Sequence, residues 1–534
     1  MSEVLKQPAI VNSSEIELGK SPLWSYLPAV LPIVGAVLMV LMRIQFGGER
    51  FISDGALIMI ALAGYLTAAV FLLTNLYAPS STAQRLGLWF ASAGVFFNLS
   101  SWGVRWIAAR DRELEIIARQ SGEMPWFWRY IPFANLYDLS IAFAFGAGIT
   151  TLFIARRRSM RIIGALSLPL ISLILLLAVF IGNEFIDLPP ILDSYWRPIH
   201  VGIASMSYGV ALVCFAVAVM YLLKDGVKPE AMAIWSSIFA LSVIATISKF
   251  SVLTTGKYAA STFLLAENRR IPIPLRADIP YVGVLLVISA VLLVGVIIAF
   301  GQYLANANET ARAWGHRLLK LASVTQACAI VLLVSQIKNL SNITSLIDPR
   351  QYERFGAFLA EKGEGLTPDQ IAQLSGVQLA QGAAEWIKME GSKLFLSLNA
   401  NPVELAALIT AFAATFFVII FSIRTERLRV ALPSLEKLDG LMYKTASITF
   451  AGLAMLLITG AIWANESWGR YWAFDPKETG AFVAWLTYAG YLHSRIARGW
   501  TGRRSAYFAV VGFLLIIFTY LGVSYLLPGL HSYA

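Results

Sequence analysis

The sequence specifies an all-α, polytopic transmembrane bundle of about thirteen spans with one small external insertion, and three observations point to it. Of 534 residues, 57% are hydrophobic and 14% charged, with a mean hydropathy of +0.67, more apolar surface than one soluble core could bury. Apolar runs of about 20 residues recur along the chain, the length that crosses roughly 30 Å of hydrocarbon, where only a helix satisfies its own backbone. Arginines gather in short loops, Arg156-Arg157-Arg158-Ser159-Met160-Arg161 and the stretch from Arg495 to Arg504, as positive-inside topology requires.

In chain order, residues 1–22 form a polar cytoplasmic tail without a small-residue cleavage site. The apolar run that follows is too long for a signal-peptide core, so the first span stays as an anchor. Spans are expected at 23–43, 55–77, 86–107, 136–155, 162–182, 198–223, 231–253, 280–302, 317–337, 403–424, 444–465, 481–497 and 505–526. With both arginine-rich loops in the cytoplasm, the N-terminus is inside. The loop near 468–479, the C-terminal Gly529-Leu530-His531-Ser532-Tyr533-Ala534 and His200 then all face outside. Residues 338–402 are polar and external by the same alternation. Within them Thr367-Pro368-Asp369-Gln370 supplies an N-cap, a first-turn proline and a capping-box glutamine for an amphipathic helix running to about Met389. No strong internal repeat is present.

The net charge of +10 follows from topology and implies no nucleic-acid partner. The two cysteines, Cys214 and Cys328, lie in apolar runs and read as packing residues. With no Cys-x-x-Cys-His, the chain is not itself a c-type cytochrome.

The densest chemistry is Trp468-Gly469-Arg470-Tyr471-Trp472-Ala473-Phe474-Asp475-Pro476-Lys477-Glu478-Thr479, with Trp463 and Trp485 beside it. Indoles in a membrane loop serve an aromatic belt or receive a flat apolar ligand, and haem is such a ligand. Trp24 and Trp106 are belt candidates. Asp475-Pro476 reads as a helix start. Only four histidines occur, and coordinating side chains in or near a membrane are functional candidates. His200, His531 and the Trp-rich loop reach one surface. His493 lies ~18 Å deep at 1.5 Å per residue, and His316 beside Trp314 reads as an ordinary interfacial residue.

The loop resembles the tryptophan-rich WWD signature of membrane haem-handling proteins, and its continuation to Tyr491-Leu492-His493 looks like the CcsA/ResC branch of system II cytochrome c biogenesis. The resemblance covers Pro132-Phe133-Ala134-Asn135-Leu136-Tyr137-Asp138 through about Leu223, and Leu432-Pro433-Ser434-Leu435-Glu436-Lys437-Leu438-Asp439 to the end. It divides the chain into the tail at 1–22, N-terminal helices at 23–130, a first block at 131–224 and a second at 431–534. Between the blocks lies an insertion at 225–430 with about four spans, whose role the sequence does not disclose. Two departures stand out: Phe474 where relatives usually have a third Trp, and Asp138 where a Glu is common.

By resemblance, His200 and His531 are the external ligands of haem iron and His493 the intramembrane one. Trp468, Gly469, Trp472, Phe474, Asp475, Lys477 and Glu478 form the haem-binding loop, and Arg197 and Arg470, with Lys477, are cations for the propionates. The resemblance further implies haem b as transient cargo, an apocytochrome c client whose own thiols attack the haem vinyls, and a CcsB-type membrane partner in a cytochrome c synthase (haem lyase) complex. It places the chain, with membrane lipid around it, in a bacterial inner membrane or a thylakoid. No catalytic side chain and no metal other than haem iron is expected. The rivals are a CcmC- or CcmF-type haem protein, an electron-transfer cytochrome b-like protein, whose paired ligands sit within the bilayer, and a secondary transporter with broken helices.

Overall fold

The computed structural model describes residues 23–48, 50–120, 127–183, 185, 190–246, 258–266, 269–339, 351–362, 365–390, 394–396 and 402–523. The chain folds into long helices, α1 Leu27–Phe46, α2 Asp54–Tyr77, α3 Ser81–Gln120, α4 Leu136–Ala155, α5 Gly164–Ile181, α6 Trp196–Lys224 and α7 Pro229–Thr246. Next come α8 Val282–Asn306 and α9 Glu309–Asn339, then three short helices, α10 Tyr352–Lys362, α11 Pro368–Ala372 and α12 Gly376–Glu390. The last group is α13 Pro402–Ile423, α14 Thr425–Ala431, α15 Leu435–Trp468, α16 Pro476–Arg498 and α17 Arg503–Ile517, which ends in a π-helical turn, Phe518–Gly522.

Eleven of the described helices are long and apolar enough to cross a membrane. The expected spans at 86–107 and 481–497 do form helices, α3 and α16, but these are more polar than the other eleven. Their polar groups turn inward: Asn98, Ser100, Ser101 and Arg105 on α3, and Tyr488, Tyr491 and Ser494 on α16, are all buried.

The all-α reading holds for the membrane part. Outside it a small antiparallel sheet forms, in which β1 Tyr258–Ala266 pairs with β2 Arg269–Ile279 and with β3 Leu394–Leu396, in the order β2-β1-β3. The sequence signal there was short and lay between stronger helical runs. The helix expected over 367–389 starts at the foreseen capping box, the Thr367 amide donating to Gln370 Oε1 at 2.9 Å, but breaks at Gln373–Ser375 into α11 and α12. Ser375 begins the second piece with the same device, its amide donating to Gln378 Oε1 at 2.9 Å. Cys214 is buried as foreseen, whereas Cys328 is exposed on the outer face of α9.

Helix α6 is the central post, packed on α4, α15 and α17. Small residues let the backbones close in: a methyl on Gly209 would strike the Ala147 backbone nitrogen, so α4 and α6 touch main chain to main chain. A buried ion network ties the neighbouring helix ends together. Arg105 on α3 pairs with Asp138 on α4 and, at 3.2 Å, with Asp54 on α2. Tyr137 donates to Asp54 at 3.0 Å, and the Ala134 amide donates to Asp138 at 2.8 Å. Breaking one partner of such a desolvated set costs about 3–5 kcal/mol. Helices α7, α8, α9 and α13 form a closed ring in which α7 packs on α8 and α13, and α9 on α8 and α13, joined to the main bundle where α13 packs on α5.

Candidate functional site

At one end of the bundle the N-termini of α4, α6 and α16, the C-terminus of α15 and the π-helical turn enclose a cavity of about 180 Å³. Its wall is mostly apolar and aromatic, with Phe133, Tyr208, Trp463, Trp468, Trp472 and Tyr520 among its residues, and a few polar groups converge on it.

His200 stands in this wall. Its Nδ1 lies 3.0 Å from the Leu456 carbonyl oxygen and 3.4 Å from Thr459 Oγ1. A carbonyl only accepts, so Nδ1 carries the proton, and when the ring is neutral Nε2 is the nitrogen that can ligate a metal. The Trp463 indole lies 5.8 Å away, centroid to centroid. The opposite helix meets the ring through Gly460, where a Cβ would stand 2.7 Å from His200 Cε1 and 3.1 Å from Nδ1. Glycine is what allows α15 to press against the imidazole.

Two cations reach the cavity. Arg197 is buried and donates through Nη2 to the Arg129 carbonyl at 2.6 Å, while its Nε has no partner among the described residues. Trp463 Nε1 is likewise buried without a described partner. Lys477 is half-buried at the rim, and desolvation pulls its ammonium down to about 8, against the pull of Asp475 in the other direction.

The tryptophan loop is held by its own polar groups. Asp475 caps α16, accepting from the Lys477 amide at 3.2 Å, and Glu478 completes the capping box, accepting from the Asp475 amide at 3.3 Å and the Ala473 amide at 2.8 Å. Gly469 ends α15 with φ +69°, and its amide donates to the Asn465 carbonyl. These side chains therefore shape the loop, which presents Trp468, Tyr471 and Trp472 to the cavity.

Of the residues singled out in the sequence, His200, Arg197, Trp468, Trp472, Lys477 and Glu478 line the cavity. Gly469, Arg470, Asp475 and Phe474 do not; Phe474 is 80% exposed, with φ +57°. His493 lies away from the cavity, exposed on α16, with no hydrogen bond to any described residue. His531 lies outside the described residues. Sequence reasoning missed Tyr208, Tyr520 and Gly460. Tyr520 meets Ser140 Oγ at 2.5 Å and reaches the cavity because the π-helical turn shifts its register, an irregularity that periodicity does not report.

Fold and site together define a polytopic helical membrane protein with one oriented histidine in an aromatic, cation-edged cavity at the end of its bundle. The family model described as cytochrome C assembly protein matches residues 133–267 and 402–531, leaving α8, α9 and the short helices between its two blocks. The chain is 58% identical over 98 residues to a CcsA cytochrome c biogenesis protein of Prochlorococcus marinus (strain MIT 9515), covering 18% of this chain and 31% of that protein. It is 53% identical over 104 residues to the CcsA of Synechococcus sp. (strain CC9605), covering 20% and 34%. The chain spans about a third of the length of the curated relatives it matches. No solved structure matches it. Over these two blocks the chain is similar to the cytochrome c assembly family, and within it to the CcsA type.

Proposed function

We propose that this protein acts in cytochrome c biogenesis by holding haem at the described cavity and presenting it to an apocytochrome c for covalent attachment. The observation that carries this reading is His200 oriented within an aromatic wall: Nδ1 is held at the Leu456 carbonyl, which makes Nε2 of the neutral ring the nitrogen that would ligate iron. The remaining groups fit the same substrate. Indoles offer stacking faces to a porphyrin, and Arg197, with an uncommitted buried Nε, and Lys477 offer charge to its propionates.

In this reading the cavity face is non-cytoplasmic, as the arginine-rich loops imply. His531 supplies the second axial ligand. Haem b is transient cargo, accepted at an inner site that uses His493 together with a CcsB-type membrane partner. Attachment itself needs no acid or base from this chain: each apocytochrome thiol adds across a vinyl, sulfur bonding to one carbon while a proton goes to the other. The protein's contribution is to hold the ring still and the iron ligated while the client docks.

The test is an absorption spectrum of the purified protein, alone and co-expressed with a candidate partner. A haem band that weakens in His200→Ala and in His531→Ala, and returns on adding imidazole, is the expected result. Identical spectra in both variants would overturn the external site, and non-exchangeable haem in whole stoichiometry would make it a fixed cofactor instead of cargo.

A further inference from the structure

The ring of α7, α8, α9 and α13 lies apart from the haem reading and has its own interior. Each helix buries one seam. On α9 the buried positions run Gly315, Leu319, Ala322, Gln326, Ala329 and Leu333, alternating steps of four and three as in a coiled coil. Away from the Glu230 end of α7, the seams are apolar except at one level. There α7 places Ser237, α8 Ser289, α9 Ser323 followed by Gln326, and α13 Thr415, none more than 5% exposed.

Contacts bring Ser289, Ser323 and Thr415 to a common level, and Ser237 and Gln326 follow from helical spacing along α7 and α9. Ser323 Oγ donates to Thr415 Oγ1 at 3.2 Å, and Ser289 Oγ to the Ala322 carbonyl at 3.4 Å. One turn toward the start of α7, Ala233, Val296, Phe300, Leu319 and Val418 close into a compact apolar layer. Beyond that layer Glu230 binds Arg312 at 2.7 Å and His316 at 3.2 Å, sealing this end with charge and revealing a partner for His316. On the other side the next turn is alanine on three helices, Ala240, Ala329 and Ala411, all buried.

Two side chains in this layer lack partners among the described residues: both amide atoms of Gln326, 1% exposed, and the Ser237 hydroxyl, fully buried. A register-fixing clamp between helices accounts for a bonded pair such as Ser323 and Thr415, but not for a buried amide that bonds to no described residue, where each unmet polar group costs several kcal/mol in hydrocarbon. Every group in the layer is neutral. A bare cation would meet no compensating charge there, whereas a small molecule that both donates and accepts would satisfy hydroxyl and amide together.

We propose that this layer is a hydrated binding site inside the membrane, taking small uncharged hydrogen-bonding molecules, water first among them, through the alanine-lined side, with Gln326 as its main contact. The test uses the full chain with Cys328→Ser and a single added cysteine, Gln326→Cys or Ser237→Cys, with Leu319→Cys in the apolar layer as control. The probe is methyl methanethiosulfonate, a small uncharged thiol reagent, read by mass spectrometry. Cysteines at 326 and 237 modified at least ten times faster than one at 319 are expected, and equal rates overturn the site. If Gln326→Cys does not fold, Gln326→Leu decides: backbone hydrogen exchange across 319–333 slows several-fold if the amide recruits water, and an unchanged rate counts against it.

Discussion

His200 and His493 sit in two regions of one bundle and receive opposite treatment. His200 is packed between a carbonyl, an indole and a glycine, so its ring is turned and its tautomer chosen before any ligand arrives. His493 projects from α16 with no hydrogen bond to any described residue. On the proposed reading, the contrast means that the chain builds one coordination site in advance and leaves the other to be completed from outside. A preorganised ligand loses little entropy on binding iron, whereas an exposed one must gain its orientation from whatever packs against it.

The strongest way to break this comparison is His200→Ala. If the cavity is preorganised around that ring, haem affinity falls by at least about 100-fold, roughly 2.7 kcal/mol, with the fold retained. A spectral titration with haem checks it. A loss no larger than that from His493→Ala would remove the distinction. Gly460→Ala is the subtler form of the same test. Its methyl would enter the space of His200 Cε1 at 2.7 Å, so the ring must move and its bond to Leu456 must lengthen. About a tenfold loss of affinity is expected from disturbing an orienting contact of this kind, with a strain cost of about 1–3 kcal/mol in thermal unfolding.

The sequence disclosed the first region better than its supports. His200, the tryptophan loop and Asp475-Pro476 were legible because rare residue types and a capping box carry local signals. Gly460 was not, because its meaning depends on a contact with residue 200, far away in the chain. Arg105 was not singled out either, since its partners Asp54 and Asp138 come together only when α2, α3 and α4 pack. Glu478 was legible as a loop residue, but the service of its carboxylate to the backbone of Ala473 and Asp475 was not. The β1–β2 hairpin was hidden by its place between stronger helical runs. Membrane spans themselves were plain, because hydropathy over about 20 residues is a local quantity.

Lys477 sharpens the comparison through pH. Burial lowers its ammonium from 10.5 to about 8, so the cation is present at pH 7 and mostly lost by pH 9. If it holds a ligand carboxylate, haem affinity falls several-fold across that interval, and Lys477→Met flattens the profile while Lys477→Arg keeps the affinity above pH 9. Stability moves the other way. The unfolded lysine binds its proton more tightly than the folded one, so the ligand-free protein gains stability as pH rises from about 8 toward 10.5. Opposite slopes for binding and for unfolding, measured on one preparation, separate a role in the ligand site from a structural one.

The smallest expected effect is the most informative about the second region. Because His493 touches neither the cavity nor any described hydrogen-bond partner, His493→Ala should leave haem titration at the external site within about a factor of two in the isolated chain, below roughly 0.4 kcal/mol. The same variant, co-expressed with a partner that covers α16, should lose haem, since only then does the imidazole acquire an orientation worth losing. An effect of equal size with and without the partner would mean that the chain alone already fixes His493. The two histidines would then differ in depth and not in preparation.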